Sequence, residues 1–119
     1  MANIKKKRVH WNNNYTSSDV AGYKLYWAVN ERVDYDSDCA EVGNVTEVIL
    51  PVDISAFPLV AGEIEIGVTA FNHAGNESDM AKCSATLDFT SPEAPTELVV
   101  ESVDSVSSFG SVSSIGTVD

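Results

Sequence analysis

The sequence predicts an all-β, antiparallel β-sandwich, and three observations carry that expectation. Between residues 4 and 90, short apolar-polar runs alternate with turn residues at intervals of about ten, the rhythm of strands joined by tight loops. No segment sustains the period of an amphipathic helix. In residues 63–71, Ile64, Ile66, Val68 and Ala70 share one face while Glu63, Glu65 and Thr69 share the other, as a half-buried strand requires.

The first strand is expected at residues 4–11, with Val9 and Trp11 on one face and His10 on the other. Residues 12–19 are polar and turn-rich and read as a loop. The second strand spans 23–29, with Tyr23, Leu25 and Trp27 facing one way and Lys24 and Tyr26 the other. Residues 30–44 are acidic and irregular, with a short edge strand expected at 33–35. Strand character returns at 45–50, and Pro51 stops further ladder pairing because it carries no backbone N–H. After residues 63–71, His73-Ala74-Gly75-Asn76 makes a turn, and 81–89 supplies the last strand of the body.

A chain of 119 residues has room for one domain and a tail. Its 44% hydrophobic content suffices for one core and excludes a wholly disordered chain. The net charge of −11 hides an asymmetry: Lys5, Lys6, Lys7 and Arg8 are four of the seven basic residues, and only Lys24, Arg32 and Lys82 face the 18 carboxylates. So acidic a body would repel a phosphate backbone, which argues against nucleic-acid binding. The basic cluster reads either as a solubilising strand edge or as a grip on an anionic partner or another copy's acidic face. No stretch reaches the roughly 18 apolar residues of a membrane helix, so no membrane insertion is expected. Polar residues follow the charged start where a secretory signal would place its apolar segment, pointing to another route or to a mature or engineered form.

The series VHW, AGYKLYW, VGNVTEVIL and GEIEIGVTAFNHAGNES resembles fibronectin type III modules, particularly those of bacterial surface and phage proteins, over residues 4–90. The resemblance implies an immunoglobulin-like sandwich in which Trp11 is the core tryptophan of strand B, residues 23–27 form strand C and residues 64–71 form strand F. Two departures stand out. Ile64 occupies the place of a tyrosine that pins a corner in many family members, which leaves that corner to packing alone. Only about three residues precede the first strand, so residues 1–90 read as a sandwich lacking the N-terminal strand A at its usual position.

Residues 91–119 carry a proline-punctuated linker, a strand-A-like segment with Leu98 and Val100 on one face, and a Ser-rich tail. That segment can fold back on its own sandwich, insert beside the first strand of a neighbouring copy, or begin a further module. Residues 90–97 span at most roughly 26–29 Å, which leaves little slack for self-insertion in the family's orientation, and two prolines stiffen them. Donation to a neighbour is therefore expected, with Leu98, Val100, Val103, Phe109 and Ile115 meeting an acceptor strand at Val9. Beyond Val103 a short repeat, 105–110 and 111–116, reads either as a strand apolar on both faces or as a flexible Ser/Gly tail.

Candidate chemistry is sparse. Asp34, Asp36 and Asp38 alternate like the opening of a calcium loop, but Cys39 stands where the turn wants glycine and Val45 where a bidentate glutamate belongs. The competing reading is a solvated acidic edge. His10 and His73 lie on different elements without metal-site spacing, and Cys39 and Cys83 have no local base. No nucleophile elbow or phosphate-binding loop is present in the sequence. The expectation is a non-enzymatic structural or assembly protein without a cofactor, Ca2+ being the one ion considered. It is expected to self-associate as a homo-oligomer or polymer, or to join a neighbouring structural protein, on a virion or extracellular surface. The alternative is a carbohydrate- or protein-binding accessory module of a larger surface protein.

Overall fold

A computed structural model of the chain describes residues 2–13 and 19–103. Its six strands are β1 (Lys7–His10), β2 (Gly22–Val29), β3 (Asp38–Gly43), β4 (Glu47–Leu50), β5 (Ala61–Phe71) and β6 (Ala81–Asp88). They form two antiparallel sheets, a pair β1-β4 and a four-stranded sheet in the order β3-β2-β5-β6. One apolar core joins the sheets: Val48 and Leu50 of β4 pack with Leu25 and Trp27 of β2, Ile64 and Ile66 of β5 and Leu87 of β6. The protein is thus all-β and sandwich-like.

The alternation in β2 and β5 decides which residues meet. Register sets Leu25 opposite Val68 and Trp27 opposite Ile66, so the apolar rows coincide on the inner face. Between β4 and β5 the chain turns inward to bury Ile54 and Phe57. Phe57 sits 5.1 Å from the Trp27 ring and 5.8 Å from Phe89, the latter edge-on, which favours the ring quadrupoles. This corner is not held by packing alone. The Asp53 carboxylate accepts the Ile49 N–H at 2.7 Å, and the Asp53 N–H donates to the Ile49 carbonyl at 2.9 Å.

The edge strand of residues 30–44 lies at Asp38–Gly43 rather than at 33–35. Val33 is drawn instead over the outer face of the four-stranded sheet: its side chain is buried and its N–H donates to the Glu65 carboxylate at 2.7 Å. A tight turn from Asp34 to Ser37 then precedes the ladder. The outer face of β2 is therefore covered too. Tyr26, Ala28 and Val33 form a second, small apolar cluster, capped by Met80 from the β5–β6 connection. Gly67 lies beneath Met80, and a Cβ there would fall 2.3 Å from the sulfur.

Candidate functional site

The candidate site is a groove along the side of the sandwich between β1 and β6. Among the described residues, β1 is paired on one side only, with β4, so its other edge presents a row of backbone donors and acceptors. Burial across the β1–β4 ladder is lopsided. Val9 is opposite Val48 and Lys7 opposite Leu50, yet Val48 and Leu50 are buried while Val9 is half-buried and Lys7 exposed.

β6 forms the facing wall. Cys83 is opposite Ile66 and Ala85 opposite Ile64, so both share the inward side with two buried isoleucines. Cys83, Ala85 and Ala81, opposite Val68, are nevertheless exposed, because nothing among the described residues lies over that edge. Further along the strand Leu87, and beyond it Phe89, are buried. A cavity of about 440 Å³ opens at one end of this side, lined by Trp11, Tyr23, Val68 and Ala81. Another of about 530 Å³ lies at the opposite end, lined by Ile4, Lys6, Leu59 and Phe89. The Trp11 ring packs 5.5 Å from Tyr23, and its buried indole N–H finds no acceptor among the described residues.

The C-terminal segment leaves the sandwich at the end of β6. Among the described residues, Phe89 is the last tied to the body's backbone, donating to the Val60 carbonyl at 3.0 Å. Residues 90–103 are exposed throughout and belong to no strand. Leu98 is 91% exposed, Val100 71% and Val103 81%. The segment does not fold back on its own sandwich, and Leu98, Val100 and Val103 do not meet Val9 within one molecule. Phe109 and Ile115 lie outside the described residues.

The acidic loop is organised by its own backbone. The Asp34 carboxylate accepts the Asp36 N–H at 2.8 Å and the Ser37 hydroxyl at 3.4 Å. Asp36 and Asp38 line a separate cavity of about 370 Å³ with Glu31 and Trp27. Among the described residues no three His, Cys, Asp or Glu side chains are placed to share an ion. Cys39 and Cys83 are free thiols on β3 and β6, the two edges of one sheet. With two strands between them, roughly 14 Å apart at the usual strand spacing, they cannot bond within the molecule.

A partly buried polar cluster on the outer face escaped the sequence reading. Glu77, in the β5–β6 connection, accepts the Tyr26 hydroxyl at 2.5 Å and the Thr69 hydroxyl at 2.7 Å, with Lys24 Nζ 3.5 Å away. Burial pulls the Glu77 pKa upward. The donated hydrogen bonds and the Lys24 charge outweigh it and hold the carboxyl below its ordinary value. The Tyr26 hydroxyl is pushed well up, first by burial and then by its bond to Glu77. The cluster fastens the connection to the sheet and holds no reactive constellation.

Two further groove residues were also missed, Cys83 and Ala85. Small residues at the inward positions of a strand, where β5 carries Ile64 and Ile66, are the sequence signal that marks this exposed wall. No protein-family model matches this chain, and no curated protein or solved structure matches it.

Proposed function

We propose that the chain is a fibronectin type III-like sandwich serving as a non-catalytic structural subunit, joined to further copies of itself by lending a strand that includes residues 98–103. The supporting observation is a pair of complementary deficits in one molecule. β1 has an open edge beside the exposed, inward-facing Cys83 and Ala85, while Leu98 and Val100 stand in solvent on a segment free of the body. An edge of this kind is completed by β-augmentation, in which backbone hydrogen bonds give affinity and alternate side chains give specificity. Covering Leu98 and Val100 contributes on the order of 1.5–3 kcal/mol each.

A head-to-tail contact propagates into a filament or closes into a ring, which suits a virion surface component or an extracellular fibre. That setting is an analogy from fold resemblance. The test is the solution mass of the full chain and of a form ending at residue 90, measured by light scattering over a range of concentrations. The full chain is expected to grow into multiples of the protomer, and the shortened form to stay monomeric. A monomer in both cases ends the assembly reading and leaves a binding accessory module.

A further inference from the structure

Resting on strand donation as read above, we infer that the donated strand runs antiparallel to β1 with Leu98 opposite Trp11 and Val100 opposite Val9. This sets Glu101 of the donor against Arg8 of the acceptor as the pair that selects partner and register.

The backbone defines where the donor begins. Pro92 and Pro95 interrupt the linker, and Glu97 sits in the left-handed region at φ 58°, a kink that an extended strand does not tolerate. Among the described residues the uninterrupted run therefore begins at Leu98 and includes 98–103. Laid antiparallel in this register, residues 98–103 cover residues 6–11, which is β1 with one flanking residue on each side.

Side-chain parity defines the register. Val9 and Trp11 pack toward the core from β1 and its flank. Leu98 and Val100 share one face of the donor, and opposite residues of an antiparallel pair project to the same side. Leu98 then enters the 440 Å³ cavity that Trp11 lines. A slip by one residue would send Glu101 inward and Leu98 to solvent.

Charge then singles out one pair on the outer side. Glu101 falls opposite Arg8, whose only carboxylate partner among the described residues is Glu47, through Nε at 3.7 Å. Both of those side chains are more than half exposed, so the guanidinium fork retains donors for a second carboxylate. Lys5, Lys6 and Lys7, also exposed, extend the positive edge toward the acidic donor. The parallel arrangement would set Glu97 against Arg8 instead. It requires the left-handed Glu97 to become extended and puts Pro95, without an N–H, into the ladder opposite Lys6.

The test is charge reversal in the full chain, with association constants from sedimentation velocity at low salt. Arg8→Glu and Glu101→Arg are each expected to weaken association by roughly threefold to tenfold, and the doubly reversed chain to recover to within about twofold. Mixing the two singly reversed chains should likewise restore association, because the edge of each then meets a donor of opposite charge from the other. Glu97→Arg is expected to change nothing beyond general screening. Melting of Arg8→Glu shortened at residue 90 checks that the sandwich is intact, since residues 97 and 101 lie beyond that end. Recovery between Arg8→Glu and Glu97→Arg, with none for Glu101→Arg, overturns the antiparallel assignment. Independent losses at every site overturn the register while strand donation stands. A full chain as monomeric as the shortened form defeats the donation reading itself.

Discussion

The phenolic O–H of Tyr26 donates to Glu77 at 2.5 Å across 51 positions of sequence, and it ties the β5–β6 connection onto the outer face of the sheet. Tyr26 belongs to the second strand and its neighbour Thr69 to the fifth, so one carboxylate gathers two strands and a loop. Charge-assisted bonds of this kind are stronger than neutral ones, and leaving their hydroxyl donors without an acceptor carries a desolvation penalty. Glu77→Ala is expected to lower stability by about 1–3 kcal/mol and Tyr26→Phe by about 1 kcal/mol, read from urea unfolding at neutral pH.

The same carboxylate gives a pH dependence with a definite sign. Its folded pKa lies below the ordinary 4.5, so the folded state binds fewer protons there than the unfolded state. Its contribution is fully present above that ordinary value and is lost as pH falls through the lower folded value. Urea midpoints of the parent and Glu77→Gln should therefore differ most at neutral pH and converge under acid. A gap that stays constant down to the acid limb would remove Glu77 from this role.

Gly67 carries no side chain because Met80 occupies the space. A Cβ would meet the Met80 sulfur at 2.3 Å and its Cγ at 2.6 Å. Gly67→Ala must push Met80 off Tyr26, Ala28 and Val33, with an expected loss of roughly 1–3 kcal/mol. Met80→Ala in the same background should relieve part of that loss, which a double-mutant cycle measures.

Phe89 is the last core residue before the segment leaves the body, 1% exposed and edge-on to Phe57. Phe89→Ala is expected to destabilise by about 3–5 kcal/mol, while Leu98→Ala leaves the melting of the dilute, monomeric chain unchanged. Thermal unfolding of the two variants at micromolar concentration compares them directly.

The thiols report on the groove. Cys39 and Cys83 are both exposed, on opposite edges of the sheet. A water-soluble disulfide reagent should modify both in the dilute protein. Under the assembly proposal, raising the concentration protects Cys83, which faces the groove, and leaves Cys39 reactive. Equal reactivity of the two thiols in the assembled state would contradict a strand lying against β6.

How much was legible in the sequence follows the range of the interactions. The inner faces of β2 and β5 were readable because alternation is a local property: Leu25, Trp27, Ile64 and Ile66 are buried on the expected side. The outer face was not, since Lys24, Tyr26 and Ala28 look like a solvated row until Val33 and Met80 arrive from distant positions. The edge strand was misplaced for the same reason. Val33 has strand propensity, but a buried side chain and a bond to Glu65, 32 positions away, outweigh it. The sequence pointed to Val9 on β1 as an acceptor, whereas the exposed inward side of β6 needed the register that aligns Cys83 with Ile66.

By itself the sequence determined the all-β class, the face that each long strand turns inward, and the acidic body with its basic N-terminal edge. These follow from residue spacing and charge, which need no partner in space. Only the tertiary structure decided that the outer face of β2 is covered as well as its inner face, that Glu77 ties the β5–β6 connection across it, and that, among the described residues, β1 and β6 border an open groove while residues 98–103 stand clear of it. Each of those facts depends on which distant segments meet, and chain connectivity leaves that choice to the balance of burial and hydrogen bonding in the folded whole.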